Sequence, residues 1–130
     1  MAKITADISK DIDITARRND SFYLSITASN DDGTVYDLLK DDGATAFDCK
    51  LYIYNSDGNA ILGFSSGTET PSYFVESVIT VTPGTGVIVI DVPASGITLM
   101  KGAYKYKMVV YGTTEVNTLI SGKFKLIDIV

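Results

Sequence analysis

The side chains able to do covalent chemistry are few in this sequence. Histidine is absent, which removes Ser-His-Asp and Cys-His nucleophilic arrangements and the commonest metal ligand. Cys49 is the sole cysteine, so no internal disulfide can form. It falls on the apolar side of an alternating segment, where a thiol acts as a small filler rather than as an accessible, electropositively placed nucleophile. Asp31-Asp32-Gly33 and Asp41-Asp42-Gly43 superficially suggest calcium. Neither has the D-x-[DN]-x-[DN]-G spacing or the downstream Glu, and Asp-Gly pairs are what turns require for backbone reasons. Pro83-Gly84-Thr85-Gly86 lacks the further glycine and following helix of a phosphate-cradling loop. No spacing selects a carboxylate pair for glycoside hydrolysis, and there is no Trp platform for sugar. The sequence predicts no enzyme, no cofactor, no metal and no small-molecule substrate.

Binding chemistry is better represented. Tyr23, Tyr52, Tyr54 and Tyr111 alternate away from the apolar faces, and a tyrosine in an interface buries a large ring while keeping a polar tip. Plain β-propensity would also place tyrosine on strands, and both readings stay open here. Lys105, Lys107, Lys123 and Lys125 form the second group. Residues 1–65 hold 11 acids and 6 bases (−5), whereas residues 66–130 hold 5 and 5 (0). An acidic chain with a small basic end is unsuited to general nucleic-acid binding, which needs clustered Lys and Arg. A local contact with an acidic protein partner fits better.

Positioning those groups falls to strands. Period-two alternation dominates, and no window of a dozen residues carries a helical stripe. Strands are predicted at Asp11–Ala16, at Ser21–Ala28 (Phe22, Leu24, Ile26 and Ala28 on one face), in a short Thr34–Leu38 segment, and at Phe47–Tyr54. In the last of these Phe47, Cys49, Leu51 and Ile53 point inward. The turn Asn55-Ser56-Asp57-Gly58-Asn59 joins it to Ala60–Phe64, since Asp-Gly tolerates positive φ. Val75–Val81 and Val87–Val92 follow, the latter so continuously apolar that it reads as covered on both sides. Pro93–Met100 is a short helical or coiled insert.

Gly102–Tyr111 and Asn117–Ile129 make a closing hairpin. A register pairing Tyr111 with Asn117 puts Tyr104, Tyr106, Met108, Val110, Ile120, Phe124 and Leu126 on the core face. It sets Tyr106 over Gly122, where a ring can cover a strand glycine. It also opposes Lys105 and Lys123, a like-charge pair costing roughly 0.2–1 kcal/mol unless something acidic, a neighbouring strand or a partner, lies against it.

The expected fold is an all-β, antiparallel, immunoglobulin-like sandwich of seven to nine strands, with a small closed β-barrel as the alternative. At 130 residues, 45% hydrophobic and 21% charged, residues 1–130 read as one domain, with residues 1–10 as an extended N-terminal arm. Apolar runs are far short of the ~20 residues that span a bilayer, and the N-terminus has no apolar signal core.

The opening Ile12-Asp13-Ile14-Thr15-Ala16-Arg17-Arg18-Asn19-Asp20-Ser21-Phe22 resembles the "D-I-x-I-x-x-G-D-x-F" start of small immunoglobulin-like domains in tailed-phage virion proteins, among them the N-terminal domain of the phage baseplate upper protein. Tyr36-Asp37-Leu38 continues the similarity. So do Gly102-Ala103-Tyr104-Lys105-Tyr106-Lys107-Met108 and Ile120-Ser121-Gly122-Lys123-Phe124-Lys125-Leu126, similar to the family's closing hairpin. Asn19 stands where the family often has Gly, and the family's "threonine–alanine–leucine" turn is only faintly echoed by Ile97-Thr98-Leu99. The resemblance implies a non-enzymatic virion protein, made in the bacterial host cytoplasm. Such a subunit docks on capsid, neck or tail proteins as a decoration or connector and can self-associate. A carbohydrate- or cell-surface-binding sandwich module is the competing class.

Overall fold

The computed structural model describes residues 2–5, 10–30, 32–68 and 72–128; the side chains of residues 2–5 and 10 are outside that description. Eleven strands are formed among these residues: β1 (Ala2–Thr5), β2 (Lys10–Asp11), β3 (Ile14–Arg17), β4 (Phe22–Ser29), β5 (Asp48–Tyr54), β6 (Ala60–Ser65), β7 (Phe74–Val75), β8 (Ile79–Thr82), β9 (Val87–Val92), β10 (Gly102–Tyr111) and β11 (Val116–Ile127). Helical structure among them is limited to a single 3-10 turn, Ala94–Gly96, inside the expected Pro93–Met100 insert.

The strands form two sheets. The smaller runs β1-β4-β9-β8; the larger runs β2-β11-β10-β5-β6-β7, with β3 also on β11. No pairing joins the sheets among the described residues, so the architecture is a β-sandwich and not a closed barrel. With β1 on the smaller sheet and β2 and β3 on the larger, the order matches the ABED and GFC arrangement of immunoglobulin-like sandwiches, with two strands, β6 and β7, added beyond C. Pairing is not wholly antiparallel: β1 runs parallel to β4, β2 and β3 to β11, and β7 to β6. Of the expected N-terminal arm, Ala2–Thr5 make β1, while residues 1 and 6–9 lie outside the described residues.

The inward faces follow the alternation. Phe22, Ile26, Leu51, Ile53, Phe64, Ile88, Ile90, Met108, Phe124 and Leu126 belong to one buried cluster between the sheets. Phe124 is fully buried, its ring edge-on to Phe22 (5.7 Å, 72°) and to Tyr106 (6.4 Å, 70°).

Five expectations are corrected. The strand expected over Val75–Val81 breaks at Ser77, which has φ 59°, so that β7 joins the larger sheet and β8 the smaller. The N-terminal strand likewise breaks at Ile12-Asp13. In β9 only Ile88, Ile90 and Val92 are buried, while Val87 and Val89 are half-exposed, so the strand is covered on one face and not on both. The closing hairpin holds the expected register from Gly102 to Met108. It then shifts by one residue between Met108 and Val109, and Tyr111 pairs with Val116 instead of Asn117. The extra residue, Leu119, is fully buried, which explains why the bulge is retained. Thr34–Leu38 is held by an isolated Ser29–Val35 bridge rather than as a named strand.

Candidate functional site

β10 is flanked by β11 and β5, and this fixes what stands on the outer face of the larger sheet. Lys105 lies between Lys123 and Tyr54, and Lys107 between Ser121 and Tyr52. Tyr111 and Lys125 occupy the same face at opposite ends. The structure therefore brings together every candidate interface residue except Tyr23. Tyr23 is on β4 opposite Asp91, in the other sheet, and is 64% exposed. It cannot share an interface patch with the rest.

The tyrosines are not isolated ornaments of β-propensity. Tyr52 and Tyr54 stack at 6.2 Å with 22° between planes, and the Tyr52 and Tyr111 hydroxyls are hydrogen-bonded at 2.5 Å. Desolvation, then the Tyr111 hydroxyl, pushes the Tyr52 phenol up to about 12. The Lys107 ammonium lies 5.6 Å from the Tyr52 centroid and 5.8 Å from that of Tyr54. Lys50 sits over Tyr111 (5.4 Å) and Phe74 (5.9 Å). Such cation–ring contacts are worth about 0.5–1 kcal/mol at exposed sites. Val109, also on this face, is buried.

Two aromatic residues went unread in the sequence. Gly63 pairs with Tyr52 on one side and Phe74 on the other. The Phe74 ring folds over Gly63 so closely that a Cβ there would lie 2.5 Å from it. This places Phe74 edge-on to Tyr52 at 5.4 Å, with Tyr73 against it at 4.9 Å. The available signal was the strand glycine itself, on the same face as Tyr52, since such a glycine marks close approach of another group.

The Lys105–Lys123 pair has acidic neighbours in its own chain. Asp11, the last residue of β2, and Asp13, within the break before β3, line a surface hollow together with Lys105, Lys123 and Gly122. Asp13 Oδ1 accepts a hydrogen bond from the Lys123 backbone N–H at 3.0 Å. Among the described residues neither lysine forms an ion pair; the pairs present are Arg18–Asp128, Lys40–Asp48 and Lys101–Asp128. On the other side of the two lysines a second open hollow, about 500 Å³, is walled by Tyr54, Tyr104 and the β5–β6 turn.

Tyr106 spans the underside of this region. Its ring lies across Gly122 from the paired position, and its hydroxyl donates to the Ile12 carbonyl. Burial, then Asp13 and Asp11, pushes its ionisation well above the ordinary tyrosine range.

The groups considered for chemistry are otherwise engaged. The Asp42 carboxylate accepts from the Thr45 hydroxyl and from the Ala44 and Thr45 N–H groups, which hold it down to about 2. Asp32 is lowered by the Thr34 hydroxyl and N–H. Both carboxylates close their own turns. Burial raises the Cys49 thiol far out of the reactive range. Among the described residues no group of three or more His, Cys, Asp or Glu could hold a metal ion, and no helix is long and apolar enough to cross a membrane. No protein-family model and no curated protein matches the chain.

Proposed function

We propose that this chain is a non-enzymatic structural subunit of a tailed-phage particle, docking on capsid, neck or tail proteins through the outer face of its larger sheet. The observation that carries the docking reading is the gathering of Tyr52, Tyr54, Tyr73, Phe74 and Tyr111 with Lys50, Lys105, Lys107 and Lys123 on that one face. Aromatic rings are what protein interfaces select; the lysines add charge complementarity to an acidic partner, which steers association and sets specificity. The phage context rests on the resemblance carried by Ile12–Phe22 and by the closing hairpin. A sugar-binding face would offer open rings; here Lys107 covers Tyr52 and Tyr54, which favours protein docking.

The test is co-sedimentation. Particles propagated in the chain's own host and purified on a density gradient should contain the protein at a fixed copy number. Replacing Lys105 and Lys123 together by Glu should leave folding intact, because exposed charges contribute little to stability. It should lower that copy number and weaken its salt dependence. Absence of the protein from intact particles would sink the reading. Normal incorporation of the doubly reversed protein would remove these two lysines from the interface and leave the tyrosines of the same face as the docking residues.

A further inference from the structure

Lysines 105 and 123 stand at one end of the larger sheet, over the hollow walled by Tyr54 and Tyr104. At the opposite end, the described residues 32–48 hold five acids (Asp32, Asp37, Asp41, Asp42 and Asp48) against the single base Lys40, and Lys40 is paired with Asp48 at 3.1 Å. The turn Lys40-Asp41-Asp42-Gly43 projects there, closed by the Gly43 N–H donating to the Lys40 carbonyl (3.0 Å). It is anchored by the Asp41 N–H donating to Thr113 Oγ1 (2.9 Å). Both aspartates are exposed. β5 connects the two ends, running seven residues from Asp48 beside the acidic loop to Tyr54 beside the hollow, roughly 20 Å at about 3.3 Å per residue.

We propose that the hollow between Lys105 and Lys123 receives the Asp41-Asp42 tip of a second copy, so that the chain associates with itself head to tail. This rests on the reading of the larger sheet's outer face as a docking surface, and it names the occupant of one end of it. The complementarity is local: two adjacent carboxylates on a braced turn meet two adjacent ammonium groups. Tyr54, on the same face as the lysines, supplies an apolar wall. Asp11 and Asp13 moderate the lysines from the far side, yet Asp13 is committed to the Lys123 backbone N–H. Because tip and hollow are different surfaces at opposite ends, the contact is heterologous and propagates as a ring or an open chain rather than closing as a two-fold dimer. Each copy carries a net charge of −5, so association needs enough salt to damp long-range repulsion while sparing the contact itself.

Sedimentation velocity on the full chain tests this at about 0.1 M and about 1 M salt, where the screening length is about 10 Å and about 3 Å. Between about 10 µM and about 1 mM, the span that reports micromolar to millimolar contacts, mass should rise with concentration at the lower salt and not at the higher. Two variants divide the contact: Lys105→Glu with Lys123→Glu, and Asp41→Lys with Asp42→Asn, whose amide oxygen still accepts from the Ala44 and Thr45 N–H groups. Circular dichroism and thermal midpoints verify that each folds. Each alone should associate at least about ten-fold more weakly, since like charges then face each other, and an equimolar mixture should recover association. A wild-type chain that stays monomeric at the lower salt, or variants that associate as well as wild type, would overturn the proposal. A monomeric wild type whose lysine variant is lost from particles would make another virion protein the occupant, leaving the proposed function intact. Self-association as expected, in a protein absent from particles, would do the reverse.

Discussion

Gly122 offers the sharpest test of how the N-terminal strand is held. It has φ 152°, and an alanine Cβ built there lies 2.5 Å from the Ile12 carbonyl oxygen and 3.0 Å from its carbon. Ordinary contact begins near 3.4 Å, so the Ile12 backbone must retreat by about 0.9 Å. Three hydrogen bonds cross this gap. The Ile12 N–H donates to the Ser121 carbonyl (2.8 Å), the Lys123 N–H to Asp13 Oδ1 (3.0 Å), and the Tyr106 hydroxyl to the Ile12 carbonyl. At about 0.5–1.5 kcal/mol each, losing two or three costs about 2–3 kcal/mol. At φ 152°, a conformation L residues rarely adopt, alanine also brings backbone strain that exceeds any gain from stiffening the unfolded chain. Gly122→Ala should therefore destabilise by at least about 2–3 kcal/mol in urea titration, at roughly 3–5 °C in Tm per kcal/mol for a chain of this size. Tyr106→Phe alone should cost about 1–2 kcal/mol by leaving the Ile12 carbonyl short of a donor. The double variant should cost less than the sum, because the methyl already moves that carbonyl away from the phenol. An alanine variant at least as stable as wild type would refute the close approach; strict additivity would refute the shared carbonyl.

Phe124→Ala removes a fully buried ring that touches Phe22 and Tyr106 and should cost about 3–5 kcal/mol. Lys105→Ala on the exposed face should stay within about 0.5 kcal/mol; equal midpoint shifts for the two would mean the faces are wrongly assigned. Tyr52 titrates near 12 when folded and near 10 when unfolded, so its contribution is whole below pH 10 and lost as pH rises towards 12. Tyr52→Phe should flatten that alkaline fall in a denaturation series, and an unchanged slope would count against the burial of the Tyr52 phenol beside Tyr111. Cys49, buried with its thiol ionisation raised, should resist a maleimide at pH 8 and react fully in denaturant; labelling of the native protein at the free-thiol rate would contradict its burial.

Much of the sandwich was legible because strands write their burial with period two. Phe47–Tyr54 and the first seven residues of the closing hairpin were read with the correct faces and register, down to Tyr106 over Gly122 and Lys105 opposite Lys123. The errors cluster where the backbone leaves that period. Ser77 takes positive φ and sends one apolar stretch into two sheets. Leu119 inserts as a bulge and moves the partner of Tyr111 by one residue. Val87–Val92 misled for a different reason, since an apolar run does not say whether its second face is covered.

For the candidate site, residue types were visible and their grouping was not. Alternation assigns Tyr23 and Tyr52 equally to outward faces, because a strand's pattern separates its two sides without saying which sheet it joins. Which strands become neighbours is decided by long-range pairing: β10 beside β5 gathers Tyr52, Tyr54, Tyr111 and Lys107, and β4 beside β9 carries Tyr23 to the opposite side. The same pairing brings Asp11 and Asp13 to Lys105 and Lys123 from more than ninety residues away in sequence. Local sequence determined the all-β class, the turns and the inward residues, since these depend on φ preferences and on burying one face of each strand. Tertiary structure alone decided the composite patch, because side chains distant in the chain meet only once backbone hydrogen bonds have ordered the strands.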